Sequence, residues 1–324
     1  MTSSWQSTAR AALELAVCAP SVHNTQPWRF EVHREHIDLF ADHRRHLPHT
    51  DPHRRDLLIS CGIALHHLRI ALAAFGLLAI TERTPDPDRA EHLARIKTVP
   101  RPAQQADLAM AVCIPRRRSD RRPYLDRPVS GEYTAELVRA AAAQGATLEI
   151  VTDPTARTAL TAAVADADTA QRGDFAYRYE LARWRRPTTG DDGVPVSAEP
   201  PVTTVGDLRL RTFDPARQDV RGDHGGAGTL LVIGTAGDDT TDRLRAGEAA
   251  SAILLTATRK RLATCPLSQP LEVAATRRRV RDDVLEHLMH PQLVLRVGWP
   301  PATAQLAPTG RRPLHDILTE HLAS

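Results

Sequence analysis

The stretch from Pro52 to Phe75 constrains the fold of this chain more than any other. Leu57, Leu58, Ile63, Leu65, Leu68, Ile70 and Leu72 make it too apolar for a surface, so it is predicted to be a central core helix. Thr50 or Asp51 can cap it, Pro52 suits its first position, and Gly76 can stop it. At 324 residues the chain exceeds a single typical core, and two domains or two halves are expected, 1–114 and 115–324.

The surrounding elements follow from period and punctuation. Ser4 or Ser7 can cap a first helix that runs to about Cys18, before Pro20 ends it. Trp28–His33 and Ile37–Ala41 alternate apolar and polar across a short turn, which reads as a hairpin. Leu77–Thr81 and Arg95–Val99 read as short strands, and Gln104–Cys113 as a helix. Further helices are predicted over Glu132–Gln144, Ala156–Trp184, Thr240–Leu262, Arg277–Met289 and Leu314–Leu322. Strands are predicted over Thr147–Thr152, Leu230–Gly234 and Gln292–Val297. Arg185–His224 is rich in Pro, Gly and Thr with weak periodicity. A connection of that length is usually an active-site lid or disordered.

Several classes are disfavoured. Hydrophobic residues at 42% and charged residues at 25% belong to a folded protein. A net charge of +3, scattered along the chain, is not the one-faced basic stripe of a nucleic-acid binder. Cys18, Cys61, Cys113 and Cys265 form no C-x-x-C pair and are read as reduced and buried. The N-terminus lacks a signal-peptide stretch, and no later segment supplies eighteen uncharged apolar residues. A soluble, cytoplasmic protein without a membrane partner is expected. His43, His46, His49 and His53 stand close together, but their spacings straddle Pro48 and Pro52 and match no ligand pattern, so no metal is expected.

Two loops hold most of the polar chemistry. In APSVHNTQPWRF, Ala19 to Phe30, Pro20 and Pro27 lock φ and bias Ala19 and Gln26 toward extended backbone. Ser21, His23, Asn24, Thr25 and Gln26 between them are either binding groups on a rigid scaffold or an ordinary connection. In PRRRSDRRPYLDRPV, the arginines from Arg116 to Arg122 surround Ser119. Planar guanidiniums suit bidentate phosphate contacts, although an arginine run alone is more often a solvated surface or a nucleic-acid patch.

The combination is more specific than its parts. The PS-x-x-N-x-QPW loop, the RRSDR turn, a helix with GEA at Gly247–Ala249, CPLSQP at Cys265–Pro270 and GRRPL at Gly310–Leu314 together resemble the nitroreductase-like FMN proteins. More narrowly they resemble the Acg-type branch, in which two nitroreductase halves occupy one chain. The resemblance covers nearly the whole sequence and is weakest over Arg185–His224. It implies an α+β, nitroreductase-like fold whose two pseudo-symmetric halves mimic a nitroreductase homodimer. In the homodimers one flavin contacts the arginine–serine turn of one subunit and the PS-x-x-N loop of the other. Here the loop lies in the first half and the turn in the second. Parts for one site therefore remain, which implies one FMN per chain, beneath a lid, in a monomer.

Residue by residue, the resemblance puts Arg117 and Ser119 at the FMN phosphate and ribityl chain. It puts Arg121 toward the pyrimidine edge, where its charge would suit an anionic reduced flavin. Pro20, Ser21, Val22 and Asn24 would lie along the opposite edge. Pro266, Leu267, Ser268 and Gln269 match the turn whose backbone N–H meets flavin N5, where many relatives carry Glu-Gly. Arg311, with Arg312, matches the C-terminal basic contact to phosphate. His23 would lie near the ring, as a proton donor or as a structural hydrogen-bonding group. Glu248 is expected to face polar backbone or to start its helix favourably. The implied activity is hydride transfer through flavin N5 from NAD(P)H to an electron-poor acceptor, a small aromatic such as a nitro compound or a quinone. The alternative is a protein that sequesters FMN, or senses stress or redox state, without turnover.

Overall fold

The computed structural model describes residues 2–188, 190–214, 218–222, 225–302 and 306–321, with the backbone alone at 2–4. Helix α1 (Thr2–Ala16) turns Ala9, Ala12, Leu13 and Ala16 into the core. It begins at Thr2, so Ser7 lies inside it rather than at its cap, and the side chain of Ser4 is outside the described residues. The hairpin forms as β1 (Trp28–Val32) and β2 (His36–Ala41), paired antiparallel with Phe30 opposite Leu39.

Helix α2 (Arg55–Ala74) is the core helix, starting three residues after Pro52. The Asp51 carboxylate caps it, accepting from the N–H groups of Arg55 at 2.7 Å and Leu57 at 2.9 Å. Gly76, at φ +82°, ends it. By length and composition α2 could cross a membrane, yet every residue from Arg55 to Leu68 is buried within the protein. Strands β3 (Leu77–Arg83) and β4 (His92–Pro100) then pair antiparallel and lead to α3 (Gln105–Ala111).

The second part of the chain opens with α4 (Gly131–Ala142) and β5 (Thr147–Ile150). The long helical stretch expected over 156–184 forms as two helices, α5 (Pro154–Gly173) and α6 (Phe175–Arg183). Asp174 is extended between them, and its carboxylate accepts from the N–H groups of Ala176 at 2.8 Å and Tyr177 at 3.2 Å. A capping side chain has ended one helix and restarted another. The irregular segment that follows carries, among its described residues, one 3-10 turn (Val196–Ala198) and two-residue strands, β6 (Arg185–Arg186) beside β7 (Val194–Pro195) and β8 (Thr204–Val205) beside β9 (Leu208–Arg209).

Then come β10 (Thr229–Thr235), α7 (Thr240–Arg259), β11 (Ala263–Leu267), α8 (Gln269–Glu272), α9 (Ala274–Arg279), β12 (His290–Gly298) and β13 (Leu318–Glu320). The helix expected over 277–289 stops at Val284, through a π turn, because Glu286 and His287 take φ of +49° and +62° and reverse the chain. The closing helix expected over 314–322 is also replaced. Leu314–Asp316 makes one 3-10 turn, β13 runs parallel to β1, and Leu322 lies outside the described residues. The free edge of β1 decides this, since the Phe30 N–H finds its acceptor in Ile317 O at 2.7 Å.

The result is an α+β fold of two main sheets, ordered β13-β1-β2-β4-β3 and β11-β12-β10-β5, around a central helix pair, with two small two-stranded sheets beside them. Where α2 crosses α7, Gly62 faces Gly247. A Cβ on Gly62 would stand 2.2 Å from Leu244 O, and one on Gly247 would stand 2.1 Å from Ile59 O, so no other residue fits. Glu248, next to that crossing, neither starts its helix nor faces backbone as expected. It is fully buried, with Arg69 at 2.5 Å and Arg83 at 2.6 Å.

Candidate functional site

The loop Ala19–Phe30 joins α1 to β1 and does not run extended between its prolines. His23, Asn24 and Gln26 take positive φ of 46°, 57° and 50°. Gln26, expected extended, is left-handed because three bonds hold it there. Its N–H donates to Ser21 Oγ at 2.8 Å, its Nε2 donates to Asp191 O at 2.8 Å, and its Oε1 accepts from the Arg312 N–H at 2.8 Å. Val22 N–H donates to Ser60 Oγ on α2 at 3.2 Å. Left-handed non-glycine residues are strained, and such strain concentrates at ligand sites.

This loop walls a cavity of two adjoining lobes that share Pro20, Ser21, His23, Ser119 and Arg121. The outer lobe is about 570 Å³ and the inner about 110 Å³. The outer lobe has the volume of a small-molecule site.

Across the outer lobe, the RRSDR turn separates its arginines by role. Arg116 is exposed. Arg122 pairs with Asp120 at 2.7 Å, while the Asp120 N–H donates to Thr264 O at 2.8 Å and fixes the turn on β11. Arg117 is only 4% exposed, and its Nε and Nη1 have no hydrogen-bond partner. Arg118 donates to the Pro115 and Arg117 carbonyls, both at 2.8 Å. Arg311 arrives from the C-terminal segment, donating to Cys18 O at 3.0 Å and Asn24 Oδ1 at 3.2 Å. Among the described residues none of Arg117, Arg118 and Arg311 forms an ion pair, and all three line the outer lobe. Burial pushes Arg117 down to about 9, with Arg311 and Arg118 adding to it, and pushes Arg311 down to about 10. Three guanidiniums gathered without a counter-charge could hold an anion.

The inner lobe is lined by Val22 and by Pro266, Leu267, Ser268 and Gln269. Pro266 and Leu267 finish β11 rather than forming a turn, and Ser268 precedes α8. Ser268 Oγ donates to Glu272 Oε1 at 2.7 Å, and Gln269 Nε2 donates to Gln171 Oε1 at 3.0 Å. Both side chains are thus engaged by protein.

Sequence reasoning missed Arg211, Phe213 and Asp56, which line this lobe, and Glu272, which pairs with Arg211. Arg211 places Nη1 2.6 Å from His23 Nε2 and Nη2 2.6 Å from Glu272 Oε1. A guanidinium can only donate, so His23 accepts at Nε2 and carries its proton on Nδ1. Burial, then Arg211 and Arg121, hold His23 well below the usual histidine range. At neutral pH it offers an imidazole N–H, not a titrating acid, and its Nδ1 has no protein partner. Phe213 meets the His23 ring edge-on at 5.4 Å and lies 5.5 Å beneath the Arg121 guanidinium, whose Nη1 donates to Ala198 O at 3.0 Å. The available signal was the alternation of Leu208 and Leu210 with Arg209 and Arg211, hidden in a stretch dominated by Pro and Gly.

Every expected site residue except Arg312 lines this cavity. Arg312 stands behind the loop, donating to Gln26 O at 3.3 Å and Asp316 O at 3.2 Å with Asp42 at 3.8 Å, so it braces the loop instead of facing a ligand. Cys18, expected buried, is half-exposed at the outer lobe, while Cys61, Cys113 and Cys265 are buried, and all four are free thiols. The segment after α6 lines both lobes, with Val194 and Ala198 at the outer and Leu210 at the inner. Arg45 fastens it to Asp192 at 2.5 Å, and Asn24 Nδ2 donates to Gly193 O at 3.2 Å.

No protein-family profile matches the sequence. A Mycobacterium tuberculosis protein named "Putative NAD(P)H nitroreductase" is 44% identical over 317 residues, covering 96% of this chain and 91% of its own. The protein named "Putative NAD(P)H nitroreductase acg" from the same organism is 33% identical over 317 residues, covering 95% of this chain and 94% of its own. Among solved structures, nitroreductase A of Vibrio parahaemolyticus matches 67% of this chain and 77% of its own at 14% identity, with a TM-score of 0.41. With relatives aligned nearly end to end at 33 to 44% identity, this chain belongs to the nitroreductase-like family, in its Acg-type branch.

Proposed function

We propose that this chain is an FMN-dependent NAD(P)H oxidoreductase that holds one FMN per chain, as a cytoplasmic monomer. Its two nitroreductase-like halves, 1–114 and 115–324, would meet at the Gly62–Gly247 crossing, with the cavity at their seam. The proposal rests on one observation above the rest. Arg117 is buried with two nitrogens unpartnered, beside Arg118 and Arg311, at the wall of the outer lobe. That arrangement fits a dianionic phosphate and is otherwise costly. The names of the relatives support the redox reading.

FMN, when bound, supplies hydride transfer between a nicotinamide and an electron-poor acceptor, a nitro compound or a quinone. The chain's residues hold and shape that chemistry. Arg117, Arg118 and Arg311 would grip the phosphate, with the Ser119 hydroxyl beside them at the junction of the lobes. Arg121 brings positive charge to the inner lobe, and His23, fixed by Arg211, presents a neutral N–H. Phe213 and Leu210, which line the inner lobe, would exclude water there.

The test is a fluorescence titration with FMN and with riboflavin, which lacks the phosphate. Wild type should prefer FMN by roughly 100-fold or more, and replacing Arg117 and Ser119 together by alanine should erase the preference while the fold survives. Equal affinity for both flavins in wild type would refute the phosphate assignment.

A second reading, an FMN-holding protein without turnover, is favoured by the segment fastened over the cavity through Asp191, Asp192 and Gly193. An anaerobic visible spectrum separates the two. Bleaching by NADPH supports the oxidoreductase, and bleaching by dithionite alone supports the holding protein.

A further inference from the structure

We propose that the outer face of the five-stranded sheet carries a binding site for a divalent transition-metal ion of the zinc class, formed by Glu31, His33 and His321. None of these residues lines the cavity. The site follows from strand alternation. Trp28, Phe30 and Val32 turn inward and are buried, so Glu31, and His33 beyond it, face outward. Register then fills the row. Glu31 is paired with Asp38 on β2, the His33 N–H donates to His36 O at 2.9 Å, and the His321 N–H donates to Val32 O at 2.9 Å from the end of β13. His36, His33 and His321 therefore stand abreast on three adjacent strands. Their rings stack, with centroids 4.4 Å apart on either side of His33.

The carboxylates of the neighbouring row differ in charge balance. Asp38 is already held by the Arg95 fork, at 2.9 and 3.0 Å. Glu31 has no arginine or lysine partner among the described residues. Its Oε2 instead faces His321 Nε2 at 3.0 Å and His33 Nε2 at 3.7 Å. The His33 Nε2 is itself buried and makes no hydrogen bond. A tetrahedral zinc ion with bonds near 2.0–2.1 Å sets its ligand atoms about 3.3 Å apart. Two separations in this group bracket that value, and all three ligand atoms lie within 4.8 Å of one another. The His33 and His321 rings lie nearly parallel, so binding would turn them out of their stack until both in-plane lone pairs meet the ion, with water in the remaining position. Two imidazoles with one carboxylate suit zinc, nickel or copper rather than magnesium or calcium. Because His321 directly follows β13, an ion there would staple the C-terminal strand to β1.

The probe is zinc chloride alone, added by calorimetric titration to tag-free protein stripped with chelator. One equivalent should bind and raise the unfolding temperature. Glu31→Gln and His321→Gln should each weaken the uptake by at least roughly tenfold and remove the thermal shift. Arg117→Ala, in the cavity, should leave both unchanged. His321 is exposed, so its variant keeps the test meaningful even where His33→Ala fails to fold. No uptake by wild type, or uptake undiminished in Glu31→Gln and His321→Gln, would overturn the proposal.

Discussion

Two arginine clusters in this molecule obey opposite accounting. Around Glu248, Arg69 and Arg83 bring one guanidinium to each carboxylate oxygen, at 2.5 and 2.6 Å, and Gln144 takes a further Arg69 bond at 2.9 Å. Around the outer lobe, Arg117, Arg118 and Arg311 meet only neutral acceptors or nothing. The first cluster links α2, β3 and α7 and is complete within the protein. The second, on the proposed reading, would be completed by an anion. A buried cation beside its counter-charge is architecture, and three gathered without one at a cavity wall are the candidate for a binding site.

The largest effect should come from breaking the complete cluster. Glu248→Gln leaves two partly buried guanidiniums facing an amide, and a cost of about 3 kcal/mol is expected in urea unfolding. Its FMN-over-riboflavin preference should persist in whatever fraction remains folded. Arg117→Ala should do the reverse. Removing a desolvated, unpartnered cation should leave apo stability equal or higher, while FMN affinity falls by roughly 100-fold and riboflavin affinity holds. If Arg117→Ala instead destabilised the apo protein as much as Glu248→Gln, the two clusters would be of one kind.

A negative counterpart sharpens the rule. Asp51, Asp56 and Glu272 crowd one another behind the inner lobe, and burial raises Asp51 to about 6, with Glu272 adding to it. Burial raises Asp56 too, with Asp51 and Glu272 adding. For an acid whose folded pKa lies above its unfolded value, the native state holds more protons between them. The stability it contributes is therefore full below about 4 and lost as pH rises through about 6. Buried neutral His66, pushed down to about 3, acts in the opposite sense, so the difference between variant and wild type is the useful quantity. Asp51→Asn forfeits part of a helix cap at every pH. Relative to wild type it should regain on the order of 2 kcal/mol between pH 4 and 7. A parallel pair of stability curves would show that Asp51 is ionised throughout.

How much of this was legible in the sequence depended on whether the information was local. The core helix, the hairpin and the two polar loops are written in period and proline, and they appeared where expected. The irregularities were not. Asp174 looks like any helical aspartate until its carboxylate is seen capping a new helix. Leu314–Leu322 has helical residues, but the open edge of β1 outweighs propensity and draws Leu318–Glu320 into a strand. Glu248 and Arg312 were misread for one reason, since each acquires its role from residues more than 160 positions away. Arg211 was missed because the segment around it lacks periodicity, and only folding sets it against His23.

The smallest expected effect is also the most direct reading of the comparison, because it needs no flavin. If the Arg117 cluster is incomplete, inorganic phosphate should complete it partially and stabilise flavin-free protein. At a concentration ten times its dissociation constant, phosphate would add about 1.4 kcal/mol, a rise of roughly 2 °C in the midpoint of thermal unfolding. Chloride at matched ionic strength controls for screening of the exposed arginines. The rise should vanish in Arg117→Ala and in protein already loaded with FMN, and it should survive in Glu248→Gln, whose cluster has no room for an anion. A shift that persisted in Arg117→Ala would place the phosphate elsewhere on an arginine-rich surface and leave the buried guanidinium without its partner.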